Sequence, residues 1–421
     1  MIPYSTQCIE PDDIESVTRA LRSSHLTQGA LTEEFESALC AKAQTKYAIS
    51  FNSATSALYA LYGAYILLHY PQRERDFHAQ DLTCISSISR RDCAPNAPHL
   101  SQDSKISHAL ESSAQAEPIC FVTTPISFVA TTNMMLLWGI TPIFCEVKDD
   151  GNIDERALES LLATHPQRER IRAIVSVDYA GKSVELDTLQ ALAARHRLTL
   201  FSDSSHSFGG SYRGKPIGSH ARASVFSFHA LKSITTAEGG AIVTNDENLA
   251  HFARLLRSHG VEKGELWRYD CQLAGLNFRL SELGAALGLS QIHKCERFIK
   301  ARNDIARFYD EAFCENPHFD TIAIEPHITS AQHLYPILLR PHLHARKDTL
   351  FRALQEWGLG VQVHYKPIYQ FSLYRQILGE LSLPNAERFY TAEISIPCHQ
   401  SLGLDSARHI AMIVTQVCAQ A

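Results

Sequence analysis

The sequence predicts an α/β fold in which a mostly parallel central sheet is covered by helices on both faces. Short uninterrupted apolar runs, ICFVT (119–123), IRAIVSV (171–177), LTLFS (198–202) and SVFSF (224–228), read as strands buried on both sides. Helical stretches such as 130–139 and 187–196 separate them, and strand–helix–strand alternation builds parallel βαβ units. The most distinctive residues also gather just past the strands, in ISF, DYAG, DSSH and HALK. In open sheets of this kind ligands bind at the carboxyl ends of the strands.

A chain of 421 residues can bury a large core in two or three domains. Its net charge of −6, without a long basic run, speaks against nucleic acid as a partner. The 11 cysteines follow neither CxxC nor zinc-site spacing and read as reduced, packed thiols. The first residues lack the basic and apolar regions of a signal peptide, and no apolar run approaches the ~18 residues of a membrane span. The expectation is a cytoplasmic protein with no membrane partner.

Residues 1–250 are expected to form a large domain, and 251–421 a linking helix with a smaller C-terminal α+β domain. Residues 1–30 read as loop. Leu31, Phe35 and Leu39 then share one helical face, YAISF (47–51) reads as a strand, and NSATS (52–56) opens a helix over 56–68. Ser and Thr cap such openings, and the free backbone N–H groups there attract anions. Residues 71–118 are polar, with prolines at 71, 95, 98 and 118, and read as a poorly ordered, chemically inert insertion. ITPIFCEV (140–147) is a further strand, and Asp187 is placed to cap the helix that follows it. One long helix is expected over 281–313. Strands at 333–340, 360–365 and 394–399 and helices at 348–358 and 405–418 complete the chain.

Two residues stand out chemically. Lys232 follows the apolar strand SVFSF and precedes Gly239-Gly240, with no carboxylate between them until Glu238. A lysine in such a setting loses stabilisation of its ammonium form, and its neutral amine becomes a nucleophile toward carbonyls. Asp203 ends another apolar strand, 29 positions earlier. An aspartate kept ionised there can hold a proton on a heteroaromatic nitrogen, the partner that a pyridoxal phosphate ring requires.

Seven stretches carry a resemblance: NSATSAL (52–58), TTPISFVATTN (123–133), VSVDYAGKSVELD (175–187), SDSSHSFG (202–209), SVFSFHALKSITTAEGGAIVTND (224–246), LNFRLSE (276–282) and QVHYKPIY (362–369). In this order they resemble the DegT/DnrJ/EryC1/StrS nucleotide-sugar aminotransferases, over essentially the whole chain except 71–118. The resemblance implies a fold-type-I enzyme dependent on pyridoxal 5′-phosphate. It implies that Lys232 bonds the cofactor and then moves the substrate proton, that Asp203 pairs with the pyridine nitrogen, and that His206 lies near the ring hydroxyl. Phe128 is expected to stack on the ring, and Ala54, Thr55 and Ser227 to hold the phosphate. Asn277 is expected to reach the phosphate from a neighbouring subunit, so that a homodimer completes the site. For the sugar nucleotide the likeness points to Tyr4, to Ser24, His25, Leu26 and Thr27, and to Gln362, Val363, His364 and Tyr365. Ala54, Ser227 and Asn277 are shared with this set.

The likeness is to the branch in which L-glutamate supplies the amino group and C4 of a UDP-linked 4-keto-6-deoxy-N-acetyl sugar receives it, in pseudaminic acid synthesis for flagellin glycosylation. An aminotransferase for a different nucleotide-linked keto sugar and a non-catalytic cofactor-binding regulatory protein are the alternatives. Family members that dehydrate sugars replace the lysine with histidine, which Lys232 argues against.

Overall fold

The computed structural model describes residues 1–71 and 118–420. In chain order, α1 (Pro11–Leu21) and α2 (Ala30–Ala43) lead to β1 (Tyr47–Phe51) and α3 (Ala54–His69). Then come β2 (Ile119–Thr123), α4 (Ala130–Leu137), β3 (Ile140–Phe144), α5 (Glu155–Thr164), β4 (Ile171–Val177), α6 (Leu186–His196) and β5 (Thr199–Asp203). Two short strands, β6 (Ser211–Tyr212) and β7 (Lys215–Pro216), precede β8 (Ala223–Ser227), β9 (Gly240–Thr244) and α7 (Glu247–Arg257). A hairpin of β10 (Val261–Lys263) and β11 (Tyr269–Cys271) is followed by α8 (Glu282–Ile292) and α9 (Cys295–Ala312). The chain continues with β12 (Phe319–Thr321), β13 (Ile328–Thr329), β14 (Tyr335–Leu339), α10 (Lys347–Glu356), α11 (Ser372–Leu378), α12 (Pro384–Ala392), β15 (Glu393–Ile396) and α13 (Leu404–Ala419).

The central sheet has seven strands in the order β1-β9-β8-β5-β4-β2-β3, and only β9 runs against the others. Its apolar runs are unbroken because successive side chains serve different cores. Val122, Ile174, Leu200 and Phe226 pack into one cluster, while their neighbours Phe121, Val175, Phe201 and Val225 pack into the other. Helix α3 lies in the second cluster and is apolar on nearly every side, as a helix enclosed by sheet and helices must be. A second sheet, β12-β14-β15, packs Ile337, Leu339, Ile394 and Ile396 against Leu350, Leu354, Ile410 and Val414. Among the described residues no helix is long and apolar enough to cross a membrane.

The mostly parallel sheet agrees with expectation, and five local readings are corrected. Residues 1–30 contain α1, whose signals are Pro11 at its first position and Asp12 and Asp13 in its first turn. The helix expected over 281–313 is two, parted at His293 and Lys294. Nothing local forces that break; Lys294 is drawn to Asp12 (2.7 Å), Asp13 (2.9 Å) and Glu10 (3.3 Å) at the start of α1. Asp187 does not cap α6: it sits within the first turn, paired with Arg213 at 2.8 Å, and Glu185 occupies the cap position. Residues 360–365 form no strand beyond a bridge from Gln362 to Ser395, because the His364 N–H goes to the Glu393 carboxylate (2.7 Å). Helices α11 and α12 were not expected at all. The insertion read at 71–118 lies, apart from its two end residues, outside the described residues.

Candidate active site

A cavity of about 440 Å3 opens at the carboxyl edge of the central sheet, where five of its strands end and β9 begins. It gathers Ala54 and Thr55 from the β1–α3 turn, Phe128 after β2, Asp203 and His206 after β5, and Ser227 and Lys232 after β8. Tyr4, His364 and Tyr365 close it from the other side. Ser24, His25, Leu26, Thr27, Asn277 and Gln362 are exposed, Val363 is half-buried, and none of these lines the cavity. A larger cleft, about 610 Å3, lies beside Lys182; there the lysine is matched by Asp150 (2.8 Å) and Glu325 (2.9 Å).

The anion-ready turn is built by short-range capping and one close approach. Ser53 Oγ accepts the Ser56 N–H at 3.1 Å, while the N–H groups of Ala54 and Thr55 stand in a first turn with no helical acceptor. Gly240 opens β9 directly against this turn. A Cβ at that position would meet Ala54 N at 2.4 Å and Ala54 Cα at 2.6 Å, both backbone atoms that cannot step aside. Gly240→Ala is therefore expected to push α3 away from the sheet. We expect a loss of about 1–3 kcal/mol, read as a lowered denaturant midpoint, together with weaker cofactor retention in dialysis.

Asp203 is buried and fully engaged. Its Oδ2 accepts Thr131 Oγ1 at 2.6 Å, and its Oδ1 accepts Ser205 Oγ at 2.5 Å and the Ser205 N–H at 3.2 Å. These donors fix the direction of the carboxylate. Lys232 lies half-buried across the cavity, with Nζ 3.2 Å from His333 Nε2. Burial, with a smaller contribution from the Arg302 cation, pushes the lysine down to about 7 against the opposing pull of Asp203. A substantial fraction of the amine is thus neutral near pH 7, as a carbonyl nucleophile requires.

Three histidines surround this amine. His206 and His333 are buried with ring centroids 4.4 Å apart, and burial followed by the Lys232 charge holds both well below the ordinary histidine range. His206 Nε2 is 3.2 Å from the Tyr365 hydroxyl, and its buried Nδ1 has no partner among the described residues. His364 is held neutral by burial, which pushes it down to about 3. Ser395 Oγ donates to Glu393 Oε1 (2.5 Å) and sits 2.9 Å from His364 Nδ1. With its proton committed to the carboxylate, Ser395 can only accept from Nδ1–H, and this leaves His364 Nε2 as an acceptor at the cavity.

This arrangement fits pyridoxal phosphate. An ionised carboxylate and a neutral lysine line one cavity, a helix start offers free N–H groups, and an orphaned histidine nitrogen can meet a ring hydroxyl. Phe128, 60% exposed, offers a ring face. Sequence reasoning missed Thr131, Ser205, His333, Glu393 and Ser395. Thr131 and Ser205 alone carried a signal, lying inside the TTPISFVATTN and SDSSHSFG stretches.

The description "DegT/DnrJ/EryC1/StrS aminotransferase family" matches residues 7–69 and 107–415. A UDP-4-amino-4,6-dideoxy-N-acetyl-beta-L-altrosamine transaminase of Helicobacter pylori is 44% identical over 408 residues, covering 97% of this chain and 95% of its own. The transaminase of the same name from Campylobacter jejuni is 41% identical over 410 residues, covering 97% and 96%. The solved structure of Helicobacter pylori PseC, an aminotransferase involved in the biosynthesis of pseudoaminic acid, superposes with a TM-score of 0.85 at 42% identity over the full length of both chains. The lysine–aspartate cavity thus sits in a chain that belongs to the DegT/DnrJ/EryC1/StrS aminotransferase family.

Proposed function

We propose that this protein is a pyridoxal-phosphate-dependent nucleotide-sugar 4-aminotransferase of pseudaminic acid biosynthesis. It moves the amino group of L-glutamate to C4 of UDP-2-acetamido-2,6-dideoxy-β-L-arabino-hex-4-ulose, and the product serves flagellin glycosylation in the cytoplasm. The observation that carries this reading is the shared cavity of Lys232 and Asp203, set in a chain similar to the altrosamine transaminases along nearly its whole length.

Bound pyridoxal phosphate supplies an electron sink for the pair left when a C–H bond beside nitrogen breaks. The chain does the rest. Lys232 Nζ holds the cofactor and carries the proton to and from the substrate carbon. Asp203, fixed by Thr131 and Ser205, keeps a proton on the ring nitrogen. Ala54, Thr55 and Ser227 bind the phosphate, His206 orients the ring hydroxyl and Phe128 covers one face. Tyr4, His364 and Tyr365 receive the sugar end.

A homodimer accounts for the residues left outside the cavity. Segment 24–27 is tied to the start of α8, with the Glu282 N–H on Leu26 O at 3.0 Å and Thr27 bridged to Ser281. Asn277 lies just before it in the same stretch, and the β10–β11 hairpin exposes Leu266, Trp267 and Tyr269. Such an apolar projection is a natural interface between copies. In this reading Ser24, His25, Leu26, Thr27 and Asn277 serve the partner's cavity, while Gln362 and Val363 border the sugar entrance.

The test is to incubate the purified protein with L-glutamate and with each of two UDP-4-keto-sugar isomers, then determine the C4 configuration of the product. Glutamate alone should remove the visible band of lysine-bound cofactor. An unchanged band would favour a non-catalytic binder, and a product from the other isomer only would reassign the sugar. A second expectation concerns His364: Ser395→Ala frees its tautomer, so KM for the keto sugar should rise about tenfold. The visible spectrum should not change.

A further inference from the structure

Arg302 of α9 is fully buried, and among the described residues no carboxylate lies within ion-pair distance of it. All its partners are neutral. Nε meets Gln400 Oε1 (2.9 Å), and the guanidinium nitrogens meet the carbonyls of Gln332 (3.1 Å), His333 (3.3 Å), Cys398 (3.1 Å) and Leu231 (3.4 Å). Two of these carbonyls belong to His333, the partner of Lys232 Nζ, and to Leu231, the residue before Lys232. Burying a cation costs several kcal/mol unless something answers its charge. Carbonyl dipoles orient a guanidinium but leave its net charge in place. The guanidinium therefore stands as an uncompensated cation among the described residues, directly behind the lysine loop.

We propose that Arg302 is a positioning residue for the reactive amine: it clamps the Leu231 and His333 backbones and sets an uncompensated cation behind the Lys232 loop. This rests on the proposed chemistry at Lys232. Other groups facing the amine are Asp203, His206, His364, Tyr365 and Tyr4 across the cavity, with His229 and Glu238 from its own loop. Of these only Asp203 and Glu238 offer negative charge at neutral pH. Cys398 and His399 lie around the guanidinium itself. Burial lowers Arg302 only to about 10, so it stays charged where the enzyme works.

The test measures the pH midpoint of Lys232 acylation in full-length, cofactor-free protein by peptide mass spectrometry, with exposed Lys263 as internal standard. Arg302→Met should raise the midpoint by about one pH unit or more, seen as a roughly tenfold loss of Lys232 labelling below both midpoints. Arg302→Lys keeps the charge and should hold the midpoint near that of the parent. Gln400→Glu sets a carboxylate on Nε without deleting the arginine and should raise the midpoint as the methionine does, which secures the test if Arg302→Met does not fold. An unchanged midpoint in Gln400→Glu or in folded Arg302→Met overturns the proposal, as does an equal rise in Arg302→Lys. If Lys232 of the parent titrates like Lys263, the reading of Lys232 itself fails, an outcome distinct from either.

Discussion

Replacing Lys232 with alanine is expected to abolish amino transfer, lowering kcat by at least about 10⁴-fold, the upper range for loss of a positioned proton carrier. The covalent attachment goes with it. Pyridoxal phosphate should then be removable by dialysis, and the visible band of the lysine-bound form should be absent. The fold should survive, since the change removes a half-buried amine whose charged form burial disfavours. Thermal melting of the cofactor-free variant should match or exceed that of the parent. A variant that kept a near-normal rate with intact structure would sink the proposed mechanism.

Asp203→Asn is expected to cost about 10³-fold in kcat, or ~4 kcal/mol of transition-state stabilisation. Asparagine matches the carboxylate in shape and can still bond Thr131 and Ser205, so the cavity should persist. It carries no charge to hold a proton on the pyridine nitrogen, and the electron sink weakens accordingly. Cofactor should still attach to Lys232 and give its visible band, with both half-reactions slow. A loss confined to KM would reassign Asp203 to substrate binding.

The two variants probe residues that were legible in the chain for the same reason. Asp203 ends one unbroken apolar strand and Lys232 follows another, and in a doubly covered parallel sheet such strands all end at one edge. The capped helix start at 53–56 was legible through its run of hydroxyls, and Gly240 through its place at the head of β9. His333, Arg302 and Glu393 had no comparable flag. His333 reaches Lys232 across 101 residues and Arg302 reaches Leu231 across 71. They sit in a loop, in α9 and at the head of β15, in stretches of ordinary composition.

Sequence alone determined the α/β architecture, the lysine–aspartate pair and the helix start that faces them, because alternating periodicity and strand-end chemistry are local properties. Tertiary structure decided the break between α8 and α9, made by acidic residues of α1, and the turning of His364 and Tyr365 into the cavity, made by the buried Glu393 carboxylate. It also brought an uncompensated arginine beside the lysine loop. Those outcomes depend on charges and hydrogen-bonding groups that meet only after distant segments pack, and no short stretch of chain encodes them.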